Sequence, residues 1–489
     1  MHISSRRRSC VLAAALAALT VPMALSPHAA AQPSAAVGSQ HPPRTERLIV
    51  GFAPGSPKAR SDQAVRDALK SRKTGTALTF VRRLATGAVL LKVAQRTTGD
   101  HPKPLAAVAE QVKSEPDAAY AEPDSRVRPM AAVTPNDPFY RFQWDLWDEA
   151  AGMNVPPAWE LATGKGVPVA VIDTGYVTHS DLQPGIIPGY DFITDPDRAR
   201  DGNGRDPNYH DPGSWTEPGQ CEPGSPGSET YWHGTHVAGT VAARTGNGVG
   251  VASTAHDAGV QPVRVLGACG GEKSDTIEAI VWAAGGTVPG VPANKTPAKV
   301  INLSLGEKAP CSDTYQQAID SAVRRGTTVV VAAGNDNANA DDYTPANCDR
   351  VITVAAGDRQ GNRASYSNWG PRVDITAPGG SQGTVNEDRI LSTYNFGTTD
   401  PADESYAYLQ GTSMAAPHIS ALAALLLQLR PRLTPAQVER VIKATARPIT
   451  SCGDNCGAGL ADAGAAVRSL TAAADRDTVP AGRGLPARS

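Results

Sequence analysis

Net charge is nearly absent from this 489-residue chain: 46 Lys and Arg stand against 48 Asp and Glu, leaving −2 at pH 7. Such a balance points to neither nucleic acid nor an anionic membrane surface as a partner. Aromatic side chains are scarce, at 5%, while Gly (47) and Pro (40) abound. That composition suits a loop-rich α/β protein and argues against a fibrous one. No apolar span closes the chain, so no C-terminal membrane anchor is expected, and the expected state is a monomer. Cysteine is sparse as well, at seven residues. Cys452 and Cys456 have the spacing of half a zinc site, but no second close Cys or His pair completes a ligand set.

What is present begins with an export signal. Arg6-Arg7-Arg8 precedes an apolar run from Val11 to Leu25, and Ala29-Ala30-Ala31 supplies small residues for cleavage. These are the three parts of a secretory signal peptide, residues 1–31, and imply a secreted, extracellular protein. Pro22 interrupts the run, which is also short for a bilayer. Removing Cys10 with the signal leaves six cysteines, which suggests three disulfides in an exported chain, with fifteen pairings open. Pairing of neighbours is the expectation adopted: Cys221 with Cys269, Cys311 with Cys348, Cys452 with Cys456.

Residues 45–125 read as a separate unit. Strands are expected at Arg47–Phe52, Leu78–Val81, Ala88–Val93 and Ala118–Pro123, with helices at Ser61–Ser71 and Leu105–Ser114. The order βαββαβ is the ferredoxin-like pattern. A polar stretch from Ser125 to Thr134 follows as a linker. Beyond it strands and helices alternate: strand at Val260–Leu266, helix at Thr276–Ala284, strand at Lys299–Gly306, helix at Tyr315–Arg325, strands at Thr327–Val331 and Val351–Ala355. Regular alternation predicts an α/β fold, a parallel sheet with helices on both faces. Such sheets carry ligands at the carboxyl ends of their strands, where Asp173, Gly306 and Asn335 fall.

Three stretches carry the chemistry. Val169-Ala170-Val171-Ile172-Asp173-Thr174-Gly175 reads as a buried strand ending in an acid and a turn. His233-Gly234-Thr235-His236 opens a small-residue helix. Gly411-Thr412-Ser413-Met414-Ala415-Ala416-Pro417-His418 leads into an apolar helix, with Pro417 expected in its first turn. A helix start there offers orphan amides and a positive dipole end to an oxyanion. Asp, His and Ser in that order match one of the known chain orders of the catalytic triad.

All three stretches resemble the motifs of the subtilase family, over roughly residues 135–470. The resemblance implies a subtilisin-like serine endopeptidase that acts on polypeptides through an acyl-enzyme. Ser413 would be the nucleophile, His233 the base and Asp173 its orienting acid. Ala332-Ala333-Gly334-Asn335 resembles the oxyanion-hole segment, with Asn335 as donor. Ser304-Leu305-Gly306 and Gly270-Gly271 resemble the strands that flank a bound peptide, and Ala333 and Gly334 join them as substrate-binding positions. His236 is expected to be a packed helix residue. Residues 32–133 would be a propeptide, serving as intramolecular chaperone and inhibitor, and 134–470 the peptidase domain. The tail 471–489, Ala-, Pro- and Arg-rich without apolar periodicity, is expected to be disordered.

Calcium is the implied cofactor; no organic cofactor is. Asp137 and Asp181 resemble two carboxylates of the family's site, but the loop Arg244–Gly250 looks shorter than the one that wraps that ion. A second candidate is Asp201-Gly202-Asn203-Gly204-Arg205-Asp206 with Asp211, where oxygen side chains alternate with glycines. Tyr176 departs from the family pattern, which has an aliphatic residue or Phe there. A peptide-binding pseudoprotease is the rival reading, and the presence of Asp173, His233, Ser413 and Asn335 together argues against it.

Overall fold

The alternating strands build one seven-stranded sheet in this computed structural model, which describes residues 47–71, 76–93, 105–124, 134–449 and 452–477. Its order is Ile375–Pro378, Ile352–Gly357, Thr328–Ala332, Val300–Leu303, Pro168–Asp173, Gly259–Arg264, Tyr190–Asp191. Every pairing in it is parallel. The central strands are Val- and Ile-rich and buried along their whole length, as a sheet covered on both faces requires. Trp144, Val169, Val171, Val237 and Val330 line the core on one face, and Ala170, Ile172, Ile301, Val329 and Val331 line the other. The period-2 alternation of strand side chains makes that division.

Helix Thr412–Leu429 runs through the first of these cores, with 15 of its residues buried. It is apolar on all sides, which only a helix surrounded by protein tolerates. Among the described residues it is the one helix long and apolar enough to cross a membrane, and its burial accounts for that composition. Pro417 does not sit in its first turn but further inside. The helix begins at Thr412, one residue before Ser413, so the missing Pro417 N–H removes a bond inside the helix. Truncating any of Leu422, Leu425 or Leu426, all fully buried, would cost about 2–5 kcal/mol.

The chain divides into two units at Pro129/Met130. The N-terminal unit has the expected βαββαβ order and an antiparallel sheet, Leu78–Arg83, Val89–Val93, Arg47–Phe52, Ala118–Pro123. Leu48, Val50, Val89 and Leu91 face Val65, Val108 and Val112 of its helices in a small core. The helix expected at Ser61–Ser71 is found at Asp62–Ser71, and a separate single turn, Pro57–Arg60, precedes it. Ser61 is extended between them, and its hydroxyl accepts from Ala64 N at 3.2 Å, starting the second helix.

Two further differences concern the ends and edges of the large unit. Of the tail 471–489, expected to be disordered, residues 471–477 instead continue helix Ala463–Asp477. Its Thr-Ala-Ala-Ala run has the propensity to extend a helix that packing has already nucleated. The hairpin Ile390–Asn395/Glu404–Leu409 had no counterpart in the sequence reading. The expected signal peptide and the linker up to residue 133 lie outside the described residues, as do 478–489.

The structure pairs Cys221 with Cys269, Cys311 with Cys348 and Cys452 with Cys456, closing separations of 48, 37 and 4 residues. On the loop-entropy account the first two contribute about 4 kcal/mol each and the last about 2 kcal/mol. Replacing each pair by Ser should therefore lower the thermal midpoint least for Cys452/Cys456. An equal or larger loss at that pair, measured by calorimetry, would contradict the entropic account.

Candidate active site

Asp173 is the last residue of a central strand, fully buried where the chain turns away from the sheet. Its Oδ1 accepts from Thr174 N at 2.8 Å. His233 opens helix His233–Ala242, whose start lies directly on that turn. A Cβ on Gly234 would overlap the Gly175 carbonyl oxygen, so only glycine allows this approach. Thr174 Oγ1 accepts from Gly234 N at 3.0 Å and fixes the contact. The result is a His233 Nδ1 that lies 2.8 and 2.9 Å from the two Asp173 carboxylate oxygens. A carboxylate partner places the proton on Nδ1 and leaves Nε2 as the acceptor a base needs.

Burial opposes charging the His233 imidazole, but the Asp173 charge and hydrogen bond, with Asp211 behind them, outweigh it and raise the pKa above the ordinary value. His236 shows the contrast. Buried on the same helix, it is pushed down to about 3 by desolvation. Its Nε2 donates to the carbonyls of Ile390 and Ala407 at 3.1 and 3.0 Å, so it is a neutral packed residue.

Ser413 is the second residue of its helix. Its hydroxyl donates to the Ser304 carbonyl at 3.3 Å. Asn335 follows the strand Thr328–Ala332 through Ala333 and Gly334. Its Oδ1 accepts from Thr412 N at 2.8 Å and Thr412 Oγ1 at 3.0 Å. Both bonds fix the amide orientation and leave Nδ2 as the donor on an exposed side chain. Gly334, at φ 104, lies where a Cβ would strike the Asn368 amide.

The expected substrate residues come together. A cavity of about 420 Å³ is bounded by Ser304-Leu305-Gly306, Ala333-Gly334-Asn335, Tyr343 and Ser413. An adjoining one of about 470 Å³ shares Ser304-Leu305-Gly306 and adds His233, Leu266 and Gly270-Gly271. Asp173, His233, Ser413 and Asn335 thus share one end of the sheet.

The two calcium candidates fare differently. Asp137 Oδ2 accepts from Gly246 N at 2.7 Å, and Asp181 accepts from Asn247 Nδ2 at 2.8 Å and Val251 N at 3.0 Å. The loop 244–250 is therefore long enough to join both carboxylates. Asp137 Oδ1 is buried without a partner, and burial, aided by Asp137, pushes Asp181 up to about 6. An orphaned oxygen beside a second desolvated carboxylate fits a hard cation. The other set does not converge. Asp201 lies 3.5 Å from Arg264, Asn203 donates to Asp206, and Asp211 is turned inward to accept from Gly213 N. Among the described residues no group of three or more His, Cys, Asp or Glu could hold a metal. The buried Arg264 guanidinium, paired with Asp191, competes for the loop's charge.

Sequence reasoning quoted Thr412 and Thr174 without giving them a role, although each borders a motif residue. Asn368 left no signal. Fully buried, it donates to Ala333 O at 2.9 Å and accepts from Asp336 N and Ala338 N at 3.0 Å, shaping the Asn335 loop. Tyr176, the departure noted above, is buried, stacks on His210 and donates to Gln183 at 3.1 Å.

A family model described as the Subtilase family matches residues 164–468. An extracellular protease of Xanthomonas campestris pv. campestris is 48% identical over 432 residues, covering 86% of this chain and 72% of that one. An extracellular basic protease of Dichelobacter nodosus is 39% identical over 453 residues, covering 88% and 72%. A solved structure of proteases from Pseudoalteromonas arctica is 51% identical, with a TM-score of 0.68, covering 69% of this chain and 100% of that one.

The raised His233 pKa sets a pH dependence. Below it the imidazole is protonated and cannot accept, so kcat/KM should fall with acid through a pKa above the ordinary value of about 6.5. Asp173→Asn removes the charge that raises it while burial remains, so the acid limb should move down. Turnover should drop by about 10⁴-fold, the scale for this acid in such a triad. An acid limb that stays in place in the variant, followed on a peptide amide, would separate Asp173 from the base.

Proposed function

This chain belongs to the subtilase family of serine peptidases, and on that premise we propose that it is a secreted endopeptidase that matures by cutting its own chain. The observation that carries the reading is the hydrogen-bonded pair of buried Asp173 and half-buried His233 at the same end of the sheet as Ser413, with the Asn335 amide held in one orientation by Thr412. In the proposed reaction Ser413 Oγ attacks the scissile carbonyl as its proton passes to His233 Nε2. The oxyanion is held by Asn335 Nδ2 and the Ser413 amide. The C–N bond then breaks, the amine leaves with the proton from His233, and water repeats the sequence to free the acyl group. Asp173 keeps its charge throughout and stabilises the imidazolium.

Residues 32–133 are proposed as the propeptide that inhibits the enzyme until it is removed, with residues 1–31 lost on export. The support is a βαββαβ unit with its own core, preceding the peptidase unit. Calcium is proposed at Asp137 and Asp181, where it would neutralise two carboxylates and tie the loop 244–250 to the segments that carry them.

Asn335→Ala should lower kcat by about 100- to 1,000-fold, the loss known for one such donor in a subtilisin, with little change in KM. An effect confined to KM would remove Asn335 from the oxyanion site. Refolded alone, Ser413→Ala should fold yet keep its N-terminal unit attached, while the parent cleaves itself at a rate independent of protein concentration. Maturation of the alanine variant at the parental rate, read by mass, would refute the nucleophile. Calcium at 100 times its Kd should stabilise the stripped enzyme by about 2.7 kcal/mol. The gain should vanish in Asp181→Asn; an unchanged melting curve in the parent would sink the site.

A further inference from the structure

Three buried polar side chains near Ser413 have no part in the reaction just described. Pro417 stands four residues after Ser413 in the same helix, so the Ser413 carbonyl lacks the i+4 amide that would normally bond to it. Ser304 Oγ donates to that carbonyl at 2.8 Å. Having spent its proton there, Ser304 Oγ must accept, and Asn302 Nδ2 donates to it at 2.9 Å. Asn302 Oδ1 then faces Ser420 Oγ, which donates at 2.9 Å. The direction of every bond follows from the first. Ser420, Asn302 and Ser304 are almost completely excluded from water, at 0%, 0% and 4% exposure.

We propose that Ser420, Asn302 and the Ser304 hydroxyl form a relay that positions the nucleophile. It acts on the peptide group that proline leaves unheld. An unpartnered carbonyl in this interior would be costly; Ser304 Oγ supplies its partner, backed by Asn302 on the strand Val300–Leu303 and by Ser420 two turns further along the helix. Ser413 is thereby tied to the sheet as well as to its helix. The Ser413 amide, the second oxyanion donor, shares the backbone so held. Ser304 acts twice, since its own carbonyl accepts the resting Ser413 hydroxyl at 3.3 Å. Ser420 and Asn302 touch no reacting atom; they are positioning residues acting through Ser304.

The proposal rests on Ser413 being the nucleophile and is tested separately from it by a double-mutant cycle on active-site-titrated enzyme. Ser420→Ala should lower kcat about three- to tenfold, the equivalent of one net hydrogen bond, and leave KM within about twofold. Ser304→Ala should lower kcat at least as much. In the Ser304→Ala background the relay is already cut, so adding Ser420→Ala should change kcat by less than about twofold. Additive losses, or an unchanged kcat in Ser420→Ala, would overturn the relay while leaving the nucleophile assignment intact. Failure of Ser413 itself would show instead as unimpaired activity in Ser413→Ala.

Discussion

Burial of helix Thr412–Leu429 against the parallel sheet is the constraint on which the rest of the architecture depends. The helix packs on several central strands and on helix His233–Ala242. Its apolar length fixes its depth in the core, and its first turn is thereby brought to the carboxyl end of the strands. From that turn Thr412 holds the Asn335 amide and Ser413 meets Ser304. The small residues Gly234 and Gly334 then let the His233 helix and the Asn335 loop close in around it. Packing energy spent in the core thus becomes positional precision at the surface, which is what a serine nucleophile needs.

Electrostatics follows from the same burial. Asp173 and Asp211 are both withdrawn from water near one imidazole, and desolvation pushes Asp211 up to about 6. Arg264, also fully buried, answers Asp191 and Asp201 on the neighbouring strand and loop. The two sets of acids are met differently: the Arg264 cation pairs with Asp191 and Asp201, whereas Asp173 is met by a hydrogen bond from His233 Nδ1. Asp137 keeps one buried oxygen without a partner, and that is the feature on which the proposed calcium site with Asp181 rests.

Much of this was legible in the sequence because its signals are local. Continuous apolar runs marked the buried strands, and Asp173, His233, Asn335 and Ser413 sit in short motifs at strand or helix ends. The two-unit division and the βαββαβ order were readable for the same reason. What escaped depends on distant parts of the chain. The Asp201–Asp211 loop reads as a cation site only while Arg264, some sixty residues on, is out of view. Asn368 gains its role from residues thirty or more positions away. Pro417 looked like a first-turn residue because a helix start can be guessed only to within a turn. The continued helix past Thr471 shows local propensity completing what packing began.

The central claim is that Ser413 is a nucleophile made reactive by His233 and Asp173. Labelling the mature enzyme with a serine-directed fluorophosphonate and mapping the adduct by peptide mass tests it most directly. One label per molecule is expected, on the peptide that contains Ser413, with labelling strongly slowed in His233→Ala and in Asp173→Asn. Label on a different serine, or an undiminished rate at Ser413 in the histidine variant, would contradict the account.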